Sequence, residues 1–122
     1  MGGVHQATYL TSKKIALDWW KSLPLDALQV AAEDGNGNRQ PATTISYHED
    51  RELSWVVWRK EVPHSEVLVV AWQQKDDKPK WRIDVTWHGG RTSATRTTAE
   101  IVKKALIDLG ADCIFDSAPD KK

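Results

Sequence analysis

The sequence predicts an α+β fold: an N-terminal helix, an antiparallel meander of four to five strands, and a C-terminal helix packed on the sheet. Three observations predict it. Five of the seven tryptophans, Trp55, Trp58, Trp72, Trp81 and Trp87, fall in alternating, β-rich segments in the middle of the chain. Apolar residues recur at helical spacing only near the two ends. Gly, Asn, Asp and Pro clusters separate the extended segments.

In chain order, Thr11 or Ser12 is placed to cap a helix with apolar positions Ile15, Ala16, Trp19, Trp20 and Leu23, leaving Lys13, Lys14, Asp18 and Lys21 outward. Pro24 closes it, because its ring cannot continue the ladder. Leu28, Val30 and Ala32 then alternate as a strand, although Ala and Leu also allow residues 25–33 to extend the helix; the strand is favoured. Asp34-Gly35-Asn36-Gly37-Asn38 tolerates positive φ, and Thr43–His48 resumes an extended pattern, which reads as a hairpin.

After the polar turn at Glu49–Glu52, Leu53–Lys60 puts Leu53, Trp55 and Val57 on one face, with Val56 and Trp58 on the other. Val67–Trp72 is apolar on both faces and is expected in the sheet centre, covered from both sides. Trp81, Ile83, Val85 and Trp87 alternate with Arg82, Asp84, Thr86 and His88, the pattern of a strand with one wet face. The last helix takes Thr97 as N-cap with Glu100 in the capping-box relation, buries Ile101, Val102, Ala105, Leu106 and Leu109, and stops at Gly110. Residues 112–115 suit a short edge strand, in which Cys113 is expected as a small buried hydrophobe.

At 122 residues the default is one α+β domain over 1–122, with residues 1–10 and 117–122 loosely held. The longest apolar run, Val67–Trp72, is far short of a membrane span, so no membrane partner is expected. The N-terminus shows no secretory signal pattern, and a lone cysteine permits no intramolecular disulfide or cysteine-rich zinc site. A cytoplasmic setting is the expectation. His5, His48, His64 and His88 are scattered with no metal-ligand spacing, so neither metal nor cofactor is expected. No Gly-x-Ser-x-Gly elbow or other catalytic motif occurs, and the reading leans away from an enzyme.

Net charge is zero, but its distribution is uneven. Residues 1–77 carry 8 Lys/Arg against 11 Asp/Glu, and residues 78–104 carry 7 against 2. The best functional lead lies in that basic block. His88, Gly89, Gly90, Arg91, Ser93, Arg96 and Thr97 join a strand to a helix N-terminus, where backbone N–H groups and the positive dipole end favour anions. Arginine forks add bidentate contacts to phosphate or carboxylate. Arg82 on the preceding strand and Lys103 on the helix extend the block. Trp58, Trp72 and Trp87 are the candidate aromatic contacts, since indole beside arginine suits single-stranded nucleic acid.

The expected function is a non-enzymatic binding module engaging an anionic partner, nucleic acid first. The rival is a protein–protein inhibitor or adaptor, because the same residue types make interface hot spots. A third reading is a helix-covered sheet enclosing an indole-lined small-molecule cavity. Strands followed by a loop and a Lys-bearing helix, Gly89 through Ala105, resemble double-stranded-RNA-binding domains in part. The stretch Ser93–Thr98 lacks that family's paired lysines, and the likeness is not adopted. Oligomeric state is not legible.

Overall fold

The computed structural model describes residues 3–33, 38–42, 52–62, 64–74, 80–89 and 94–117. Its elements are β1 (Gly3–Thr11), α1 (Lys13–Asp18), a 3₁₀ turn (Trp19–Ser22), β2 (Leu28–Glu33), β3 (Arg39–Pro41), β4 (Leu53–Arg59), β5 (Val67–Gln73), β6 (Trp81–Gly89), α2 (Ala94–Asp108) and β7 (Asp112–Asp116). The α+β class is as expected. The sheet is larger: seven strands in the order β3-β2-β4-β5-β6-β1-β7, with every neighbouring pair antiparallel.

Only β4-β5-β6 is a meander. The N-terminal residues, expected to be loose, form β1 and pair with β6 along their whole length, from Gly3 opposite Gly89 to Thr11 opposite Trp81. Ala7 and Tyr9 of β1 are buried in the core. Ser117 is also tied down: its N–H donates to the Gln6 carbonyl at 2.9 Å, and its hydroxyl accepts from the Gln6 N–H at 2.8 Å.

Residues 28–33 are strand, not helix. The hairpin return expected at Thr43–His48 is made instead by β3, three residues pairing with Ala31–Glu33; residues 43–50 lie outside those described.

Ser12 caps α1 by accepting from the Ile15 N–H at 3.3 Å. The chain then tightens into the 3₁₀ turn before Pro24. Trp19 is buried here against Trp55 of β4, ring centroids 5.5 Å apart and nearly perpendicular, a favourable edge-to-face pair.

The last helix begins three residues before the expected cap. Ala94 already lies in α2, so Thr97 is exposed within the first turn rather than capping it. Tertiary contacts fix this start. Arg59 Nη2 donates to the Ala94 carbonyl at 3.1 Å, and the Thr95 hydroxyl donates to the His88 carbonyl. The helix ends as expected at Gly110, whose φ of 102° favours glycine. The Ala111 N–H bonds the Leu106 carbonyl and the Gly110 N–H bonds the Ile107 carbonyl, both at 3.0 Å, the pairing of a Schellman stop.

Both helices pack on one face. A single apolar cluster joins Ala16, Trp19, Ala99, Val102 and Leu106 to the strand residues Tyr9, Leu28, Trp55, Val57, Val69, Ile83, Val85 and Trp87. Among the described residues, no helix covers the opposite face. This corrects the expectation that β5 is covered from both sides: Val67, Val69 and Ala71 are buried, whereas Leu68 is 37% exposed and Val70 and Trp72 are half-buried.

The edge strand read at 112–115 is present as β7, and its register slips between Thr8 and Tyr9 of β1. Cys113 is exposed rather than buried, because no strand follows β7 in the sheet order.

Candidate interaction surface

Pairing registers show which side chains share the uncovered face. Trp72 stands beside Arg82, Val70 beside Asp84, and Leu68 beside Thr86, and Val56 of β4 stands beside Leu68. Strand alternation adds Trp58 on β4 and His88 on β6. The face therefore has an apolar middle of Leu68, Val70 and Trp72, with Val56 buried beside Leu68 and charged residues around them.

Those charges are satisfied within the chain. The Arg82 guanidinium lies over the Trp72 ring, 5.1 Å from its centroid, and its Nε is 3.4 Å from Asp84 Oδ1. The same carboxylate oxygen accepts from the Thr8 hydroxyl at 2.6 Å. Arg39 lies over Trp58 at 5.2 Å while its Nη1 contacts Glu66 at 2.6 Å, and its Nε is 3.8 Å from Glu33. Each tryptophan on this face thus carries an arginine on its ring, and each arginine is held by acids. A depression of about 390 Å³ opens beside Leu68, lined among others by Arg39, Val56, His64, Glu66 and His88. His64 sits there at a positive φ of 60°, an uncommon backbone conformation for a non-glycine residue.

The structure divides the predicted patch between the two sides of the sheet. Arg82, His88, Trp58 and Trp72 are on the uncovered face. Trp87 is not available as an aromatic contact: it is 2% exposed on the helix-covered face, with the His5 ring 5.7 Å away. Lys103 is also withdrawn. Its side chain is 7% exposed, its Nζ is 2.6 Å from Asp116 Oδ2, and it lies 5.3 Å from the Trp87 ring centroid.

Arg96 pairs with Glu100 at 3.8 Å one turn along α2, and Thr97 is exposed on the same helix. Gly89 has φ 121°, and its carbonyl accepts from His5 Nε2 at 3.0 Å when that nitrogen is protonated. Gly90, Arg91 and Ser93 lie outside the described residues. Arg82 and Trp72 are therefore brought together, whereas Trp87, Arg96 and Lys103 are not brought to them.

Several residues of this surface escaped the sequence reading. Leu68 was assigned to a core strand covered on both faces. Arg39, Glu66 and Asp84 show no local motif, since their partners come from other strands or from the far side of a turn. Arg59, which anchors α2, gives no local signal either.

No group of three or more His, Cys, Asp or Glu among the described residues is arranged to hold a metal ion, and none of the described helices is long and apolar enough to cross a membrane. On the helix side Trp19 and Trp55 pack edge to face, and their Nε1 groups are buried with no hydrogen-bond partner among the described residues, while Trp20 lines a cavity of about 250 Å³ with Leu25, Leu28, Val30 and Lys60. The arrangement defines an α+β antiparallel-sheet protein with one helix-covered face and one uncovered face. No protein-family model, curated protein or solved structure matches the chain.

Proposed function

We propose that the protein is a non-enzymatic binding module whose partner is another polypeptide, engaged by the uncovered face around Leu68, Val70 and Trp72. One observation carries this reading: the central strand β5 presents three apolar side chains outward that no helix among the described residues covers. A strand apolar on both faces belongs between two layers, and this fold supplies one.

The electrostatics favour polypeptide over nucleic acid. Phosphate binding needs cations free to replace counterions. On this face Arg39 and Arg82 are each engaged by carboxylates, and Glu33, Glu66 and Asp84 outnumber them. Base stacking needs a free ring face, and the rings of Trp58 and Trp72 carry guanidinium groups. An apolar centre ringed by internally paired charges of both signs matches the anatomy of a protein interface, in which Trp and Arg are enriched.

The test is a photo-cross-linking residue at position 68 of the full chain, irradiated in extract of the producing cells. The proposal expects protease-sensitive, nuclease-resistant adducts, suppressed by excess wild-type protein and not by the Leu68→Glu variant. Nuclease-sensitive adducts, or adducts that both competitors suppress equally, would overturn it.

A further inference from the structure

We infer that the protein also binds a small carboxylate with a one-ring apolar body, in the cavity on the helix side of the sheet where the 3₁₀ turn meets β2. This site is separate from the uncovered face and does not depend on it. Trp20, Leu25, Leu28, Val30, Ala42 and Lys60 are among the residues that bound its roughly 250 Å³.

Strand alternation builds the floor. Leu28 and Val30 pair with Arg59 and Val57 of β4, and both are buried in the helix-side core. Ala42, just past β3, belongs to the same core. Trp20 follows the fully buried Trp19 in the 3₁₀ turn and packs on the core while staying half-buried. Leu25 is 41% exposed beside it, so apolar surface is left for a ligand to cover.

The rim is held by hydrogen bonds. The N–H groups of Ala27 and Leu28 both donate to the Pro24 carbonyl at 3.0 Å, and the Lys60 N–H donates to the Ala27 carbonyl at 3.0 Å. Lys60 Nζ donates to the Leu25 carbonyl at 2.9 Å. Its ammonium is thereby fixed at the cavity without an acidic partner among the described residues. An ammonium carries three N–H donors, so this one keeps donors for a ligand. The nearby Lys21 ammonium, 5.7 Å from the Trp20 ring centroid, is instead paired with Asp18 at 3.3 Å.

These features select the ligand. Lys60 is the one charged residue lining the cavity among those described, and the rest of the lining is apolar apart from Gln29. Apolar walls with a few placed polar groups are the usual composition of a small-molecule site. An apolar cavity of about 150 Å³ already accepts benzene, so this volume takes a ring with a short acid side chain. Phosphate recognition calls for an arginine fork or a helix N-terminus. A single ammonium suits a carboxylate.

The experiment is a titration of the ¹⁵N-labelled full chain, followed by amide and indole chemical shifts, with three probes: 3-phenylpropanoate, its neutral amide 3-phenylpropanamide, and inorganic phosphate. Each is taken to roughly 10 mM, about tenfold above a millimolar dissociation constant. The expected result is saturable shifts from 3-phenylpropanoate, centred on Trp20, Leu25–Val30 and Lys60. The amide is expected to bind there about tenfold more weakly, the loss of one charge-assisted hydrogen bond, and phosphate not at all. Lys60→Met is expected to weaken the carboxylate by the same factor and leave the amide unchanged. Because the amide comparison is made on the wild type, the inference stays testable if that variant fails to fold.

No saturable shift from 3-phenylpropanoate, or shifts centred elsewhere, would overturn the site. Equal binding of acid and amide, or the same shifts from phosphate, would overturn the ligand class. None of these results bears on the cross-linking at position 68, which lies on the other side of the sheet.

Discussion

Lys103 and Asp116 join α2 to the edge strand β7 by a buried ion pair of 2.6 Å, with the ammonium also facing the Trp87 ring. The pair adds a side-chain tie to an edge strand whose residues 112–115 are exposed and which is otherwise held by its pairing with β1, with a slip in register, and by the Ser117–Gln6 bonds. A lysine that composition alone assigns to a basic recognition block is here a structural fastener.

Replacing Lys103 with Met is therefore expected to destabilise the fold by about 3 kcal/mol, because removing one member of a buried pair strands the other. Urea denaturation measures it. The Lys103→Met/Asp116→Leu double variant is expected to recover part of the loss, and a single-variant change below about 0.5 kcal/mol would show that the pair contributes no more than an exposed one.

The two faces of the sheet respond differently to truncation. Trp55→Ala removes a fully buried ring packed on Trp19 and is expected to cost about 3–5 kcal/mol. Leu68→Ala, on the uncovered face, is expected to cost less than about 1 kcal/mol. Equal losses would mean that Leu68 is as well covered as the core.

Iodide quenching reads the same asymmetry spectroscopically. Trp58→Phe and Trp72→Phe are each expected to lower the quenchable fraction of the emission, whereas Trp87→Phe is expected to raise it by removing a shielded emitter. A quenchable fraction that falls most in Trp87→Phe would contradict the assignment of faces.

Gly110 closes α2 with φ 102°, and nothing lies within 4 Å of where a Cβ would stand. The cost of Gly110→Ala is thus purely backbone, about 1–2 kcal/mol, visible as a lowered thermal midpoint. An unchanged midpoint would show that the helix stop can relax.

Much of this architecture is legible in the sequence where the signal is local. Ser12 and Gly110 mark helix ends by their own chemistry, and the alternation from Trp81 to His88 sets the two sides of β6. That alternation alone already placed Trp87 opposite Arg82; composition drew them into one patch, and the packing separates them. β1 was missed because Gly3–Thr11 carries few large apolar residues, so its strand character rests on pairing with β6, at least 70 residues away. The start of α2 was misplaced because Arg59 and Thr95, not a capping box at Thr97, hold Ala94. The Arg39–Glu66 contact and the uncovered side of β5 are products of strand order, which no window of sequence contains.

The most direct measurement is a scan of the photo-cross-linking residue over three exposed positions on different surfaces: Leu68 on the uncovered face, Ile107 on α2 and Phe115 on the edge strand. Polypeptide adducts concentrated at 68 are the predicted result. Adducts at 107 or 115 with none at 68 would contradict the account.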